Sequence, residues 1–224
     1  MLKKILSLFL SLLLIFSLTA CGGGSNANLK AQIQNCTPLV NYAANTFIEQ
    51  MDTLTFGKGS DGKPIEWIVL EKEGSKALLL SKYLLAKKKY NEEYNDITWE
   101  NCGLREWLDS DFMKQTFSRK EQNSILTIDV INSDNERYGT KGGNNTKDKI
   151  FLLSIDEFKK YFPKGSEATY KNGSAYWWWL RSPGYKQSAA AEVDGLGQLQ
   201  EHGAADASVA NVWPGVRPAL WVKY

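Results

Sequence analysis

The chain is 224 residues long, 43% hydrophobic and 12% aromatic, enough for one well-cored domain and incompatible with disorder over most of its length. Its 27 basic and 25 acidic side chains leave a formal charge of +2, and the one basic run beyond residue 20 is Lys87-Lys88-Lys89. Nucleic acid is therefore not an expected partner, because it demands clustered Lys and Arg to displace counterions.

At the N-terminus, Lys3 and Lys4 precede an apolar run from Ile5 to Leu18 that closes on Leu18-Thr19-Ala20-Cys21. The run has 14 residues, short of the ~20 that cross a bilayer, so it reads as the core of an export signal. The closing tetrapeptide resembles the cleavage box of bacterial lipoproteins, whose cysteine receives a diacylglyceryl group. That resemblance implies a signal peptide over residues 1–20, a lipidated Cys21, and a membrane anchor stable through its two acyl chains. The expected location is the extracytoplasmic face of the cell membrane. Cleavage removes two lysines and no acid, leaving 204 residues with 25 basic against 25 acidic side chains. It also leaves Cys36 and Cys102 outside the cytoplasm, either as a disulfide or as two separate thiols.

Residues 21–36 begin Gly22-Gly23-Gly24-Ser25 and read as a flexible tether. Thr37-Pro38 looks like a cap followed by proline at the first helical position, with Leu39, Val40, Ala43, Phe47, Ile48 and Met51 at helical spacing. An amphipathic helix over 37–52 is the expectation. From residue 53 onward short strands and turns prevail. Ile65–Leu70 and Ala77–Leu80 flank Glu73-Gly74-Ser75 as a hairpin, and Thr98–Leu108 carries an apolar helical stripe. Ser118-x-x-Glu121 and Ser154-x-x-Glu157 are capping boxes. Ile125–Ile131 and Ile150–Leu153 read as buried strands around a long polar surface loop, Asn132–Lys149. Further apolar runs at Tyr176–Leu180, Ala189–Val193, Ser208–Val212 and Val216–Val222 complete an α+β pattern of short helices and mostly antiparallel short strands.

Four ordered motifs stand out: Thr98-Trp99-Glu100-x-Cys102-x-Leu104-Arg105-x-Trp107-Leu108, Asp148–Ser154, Trp178-Trp179-Leu180-Arg181-Ser182-Pro183-Gly184, and Gly215-Val216-Arg217-Pro218-Ala219-Leu220-Trp221-Val222. Together they resemble an uncharacterised family of exported bacterial domains over roughly Leu54 to Tyr224. That family is in turn distantly similar to the formylglycine-generating-enzyme type of C-type-lectin-like fold. The resemblance implies a single C-type-lectin-like domain over 53–224. It does not carry the oxidase chemistry, because no cysteine follows Cys102.

The chemistry of the chain is sparse. His202, in a glycine-flanked polar stretch, is the only histidine, which leaves no Ser-His or Cys-His pair with a convincing base. No cysteine–histidine cluster has zinc-ligand spacing, and no cofactor is expected. Structural calcium is the open case, with Asp129, Asn132, Asp134 and Glu136 or Glu192, Asp194 and Asp206 as oxygen donors, though neither set follows an ordered calcium loop. Solvated turn residues are the alternative. Within Trp177-Trp178-Trp179, strand alternation divides the rings between two faces, one for the core and the other for core or ligand stacking. Arg181 and Arg217, amid apolar neighbours, read as partners in buried ion pairs that fix strand ends.

The leading expectation is a non-enzymatic binding domain for a glycan or protein ligand. Its expected face combines the segment after Arg181 with the loops from Glu192 to Trp213, bearing Trp178, Glu192, Asp194, His202, Asp206, Asn211 and Trp213. The alternatives are an extracytoplasmic carboxylate-dependent glycan or cell-wall hydrolase, using Glu192 or Asp194 with Glu201 or Asp206, and a structural envelope module.

Overall fold

The computed structural model describes residues 26–43, 46–163, 177–203 and 214–224. The signal segment 1–20, Cys21, the first part of the tether, and the expected strand Ser208–Val212 lie outside the described residues.

Apolar residues at positions 29, 33 and 36 share one helical face, and Asn26–Asn35 forms helix α1 with Leu29, Ile33 and Cys36 buried. This part of the expected tether is thus docked. Gln32 Oε1 accepts from the Thr55 amide at 2.8 Å, and Lys72 Nζ donates to the Cys36 carbonyl at 2.7 Å beyond the helix end.

The helix expected over 37–52 is replaced by two 3₁₀ turns, Leu39–Asn41 and Ile48–Gln50. A straight helix would hold its ends roughly 22 Å apart. Instead the Thr37 amide donates to the Asp52 carboxylate at 2.9 Å, and the Asp52 amide to the Tyr42 hydroxyl at 2.6 Å, closing the segment into a loop. Of the residues at helical spacing, Leu39, Ile48 and Met51 are still buried, while Val40 and Ala43 are exposed.

The main body is α+β with mostly antiparallel strands. Sheet one has the order β1-β2-β3-β12-β7: Leu54–Lys58, Pro64–Glu73, Lys76–Ser81, Ala219–Lys223 and Ile150–Phe151, antiparallel throughout. Sheet two has the order β10-β9-β8-β11-β4: Leu199–Gln200, Ala190–Val193, Trp178–Pro183, Gly215–Val216 and Ala86–Lys87, with one parallel pair, β8 with β11. Strands β5 (Ile128–Val130) and β6 (Thr146–Asp148) form a small third sheet. The expected hairpin is β2–β3, turned by Gly74 at φ 57°. The C-terminal motif crosses between the large sheets: Gly215–Val216 pairs in the second, Arg217-Pro218 makes the passage, and Ala219–Lys223 fills the first.

Helices α2 (Gly103–Trp107), α3 (Met113–Thr116), α4 (Arg119–Gln122) and α5 (Ile155–Tyr161) cover these sheets. Both capping boxes are formed, with the Glu121 amide 3.3 Å from Ser118 Oγ and the Glu157 amide 3.1 Å from Ser154 Oγ. The stretch Asn132–Lys149 departs from a solvated loop. Its end is β6, and Asn132, Asn135 and Asp148 are buried within it. Asn135 Nδ2 donates to the carbonyls of Pro183 and Glu201, both at 2.8 Å. The polar composition that signals a loop here serves internal hydrogen bonds, which burial makes obligatory.

Candidate functional site

The residues that give the motifs their character are used inside the fold. Asp148 is fully buried; it accepts from Trp99 Nε1, Arg105 Nε and Thr146 Oγ1, each at 2.8 Å, and Arg105 Nη2 lies 2.7 Å away. Arg181 is 3% exposed, forms a two-point ion pair with Glu157, and donates to the carbonyls of Leu152 and Ile131. Its own carbonyl accepts from the Tyr90 hydroxyl at 2.8 Å. Arg217 is buried, donates from Nε to the Ser81 carbonyl at 2.8 Å, and lies over the Trp178 ring at 5.1 Å. The expected ion pair thus exists for Arg181, and the Arg217 guanidinium also faces the Trp178 ring. Both free thiols, Cys36 and Cys102, are buried. Burial pushes the Cys102 thiol up to about 12.

Part of the expected ligand face lies among the described residues. Trp178 is 3% exposed and edge-on to Phe158; Trp179 is fully buried against Tyr90, so both faces of β8 are core. Glu192 is 1% exposed on β9. Asp194 organises the β9–β10 turn, accepting from the amides of Leu196 and Gln198 and from Gln200 Nε2, all at 2.8 Å. The exposed His202 does meet the segment after Arg181, through its carbonyl and the Tyr185 amide at 3.0 Å. Asp206, Asn211 and Trp213 lie outside the described residues. Among the described residues no group of three or more His, Cys, Asp or Glu is placed to hold a metal ion. Asp129 and Asp134 face Lys147 and Lys141 at 2.5 and 2.7 Å.

A cleft of about 490 Å³ lies elsewhere, at the turn end of the β1–β2 hairpin, within the size range of small-ligand sites. Residues 58–66 of the hairpin, residues 83–86 between β3 and β4, and the helical stretch from Trp107 to Thr116 border it. That stretch contains the local feature which shapes the site: between α2 and α3, Leu108–Phe112 is a π-helical turn. In an α-helix, residues five apart diverge by about 140° around the axis. The i→i+5 bonding of a π turn returns them towards one side, and such turns recur at functional sites. Trp107 and Phe112 accordingly meet, with ring centroids 5.1 Å apart, at the cleft wall.

Two glycines fix the remaining walls. Gly57, at φ 71°, sits where the β1–β2 register slips, directing Lys58 to the cleft; a Cβ there would stand 2.7 Å from the Phe117 ring. Gly215 lets Leu84 pack down, since a Cβ would lie 2.5 Å from Leu84 Cδ1. The rim is polar. Glu66 pairs with Lys82 at 3.5 Å, and Lys82 in turn lies 5.4 Å from the Tyr83 ring. Asp61 Oδ1 accepts from the Lys63 amide at 3.0 Å, which holds its carboxyl below the usual range. The geometry offers an aromatic wall, aliphatic floor residues and convergent polar groups, an arrangement for binding.

Sequence reading did not find this site. Trp107 was visible only as part of a helical stripe, and the five-residue spacing to Phe112 falls outside helical periodicity.

No curated protein and no solved structure matches the chain. A family model, however, matches residues 74–224, beginning at the β2–β3 turn and leaving α1, β1 and β2 ahead of it. Matched over most of its length, the chain belongs to the family described as Domain of unknown function (DUF6273).

Proposed function

We propose that this protein is a lipid-anchored binding protein of the extracytoplasmic membrane face, holding a short glycan in the cleft beside Trp107. The observation that carries the reading is the Trp107–Phe112 pair, brought together by a π turn in a cleft with a polar rim. Aromatic faces beside hydrogen-bonding groups suit a pyranose ring, which has apolar C–H faces and an equatorial belt of hydroxyls. The lipoprotein-like box ending in Cys21 supports the anchor. The α+β, mostly antiparallel body, with its Gly-Arg motif in the final strands, supports a C-type-lectin-like domain of the formylglycine-generating-enzyme type.

The binding face thereby moves from the Glu192–Trp213 loops to the hairpin end of the molecule. A hydrolase using Glu192 and Asp194 has little support, because the first is buried and the second has both oxygens engaged within its turn.

The test is a glycan array probed with the full chain and with its Trp107→Ala variant. Specific binding by the native chain, weakened at least tenfold in the variant, is the expected result. Binding that the variant retains in full would remove the cleft from the function.

A further inference from the structure

We infer that the cleft is selective for an anionic glycan and that the Lys58 ammonium reads its charge, an inference resting on the glycan-binding reading above. Both carboxylates of the rim already have a cation: Asp61 has Lys63 at 3.3 Å and Glu66 has Lys82 at 3.5 Å. Two further lysines exceed this balance. Lys88 lies over the Trp107 ring at 5.4 Å. Lys58 lines the cleft, and its ammonium has no hydrogen-bond or ion-pair partner among the described residues. The rim therefore carries a surplus of positive charge in a chain whose region beyond residue 20 is balanced overall.

The hydrogen-bonding inventory points the same way. An ammonium has three donors and no acceptor, while the nearby acceptors, Asp61 and Glu66, are partly committed to the turn and to Lys82. A carboxylate or phosphate on the sugar supplies the acceptor that the Lys58 ammonium is without. The Gly57 irregularity directs Lys58 there, so its placement follows from a feature of β1 rather than from a random surface lysine. An ammonium acts as a point charge and so recognises carboxylate and phosphate alike; the shared chemistry is a monoanionic or dianionic substituent on a saccharide.

The experiment uses an array bearing neutral glycans, uronate- or sialate-containing glycans, and sugar phosphates, probed with the full chain at low and moderate salt. Hits are expected among the carboxylated or phosphorylated arms, and the two arms tell which anion is read. Lys58→Gln should weaken those hits about tenfold, the scale of one charge-assisted hydrogen bond, and blunt their salt dependence. Lys58→Arg should restore them, and Lys30→Gln, at an exposed lysine of α1 that does not line the cleft, should change nothing. Hits confined to neutral glycans and sensitive to Trp107→Ala would overturn the anionic selectivity while leaving the cleft reading intact. Anionic hits indifferent to Lys58→Gln would overturn the role of Lys58. Silence on all three arms, or hits indifferent to Trp107→Ala, would overturn both readings.

Discussion

At the residue scale, the side chains that look most chemical serve the interior. Asp148 is the clearest case: a fully buried carboxylate satisfied by an indole, a guanidinium and a hydroxyl. Removing one partner from such a set leaves the others buried and unpaired, so Asp148→Ala should cost about 3 kcal/mol in urea unfolding, with Asp148→Asn intermediate. Trp99, Arg105 and Arg181 are conspicuous in the sequence, but their partners are not. Asp148 stands 49 residues from Trp99, and Glu157 stands 24 from Arg181. Pairing at such separations is set by the sheets, which residue spacing does not reveal. Cys102 gives a pH prediction. The folded state raises its pKa from 9.0 to about 12, so its contribution is complete below pH 9 and declines as pH rises from there towards 12. Buried Tyr90 acts in the same direction. Urea unfolding at pH 8 and pH 10.5 should show a stability loss that is smaller in Cys102→Ala. A thiol-alkylating reagent should leave Cys102 unmodified in the folded protein at pH 8.

At the element scale, local signals were legible where the physics is local. Serine and glutamate three apart predicted both capping boxes, and a glycine between two apolar runs predicted the β2–β3 hairpin. The segment 37–52 was misread because apolar spacing does not record the Thr37–Asp52 closure that bends the chain. The π turn was invisible for a different reason: it adds one residue to a helical turn without a composition of its own, and the site depends on that addition. The cleft also depends on β11, a strand of only two residues. Gly215→Ala would drive Leu84 Cδ1 out of its seat. The easiest escape for that flexible side chain is into the cleft, at a folding cost of about 1 kcal/mol. Glycan binding should fall sharply in Gly215→Ala and return in the Leu84→Ala/Gly215→Ala double variant, as read by isothermal titration calorimetry.

At the scale of the whole molecule, the matched family region and the folded unit are not the same. Residues 74–224 omit β2, the partner of β3, and with it the buried side chains of Trp67, Ile68, Val69 and Leu70. They also omit Lys58 and the hairpin wall of the cleft. A fragment over 74–224 should therefore lack a cooperative thermal transition, whereas one over 26–224 should retain it. The docking of α1 through Leu29 and Ile33 has a second consequence. Were Cys21 lipidated, the five residues to Asn26, where α1 begins, would span at most about 18 Å and hold the α1 side of the domain near the membrane. The central claim, that ligand enters the hairpin-end cleft, is tested most directly by hydrogen–deuterium exchange of the full chain with and without the strongest glycan from the array. Slowed exchange over residues 58–66, 83–86 and 107–116, with 184–203 unchanged, is the predicted result; slowed exchange confined to 184–203 would contradict it.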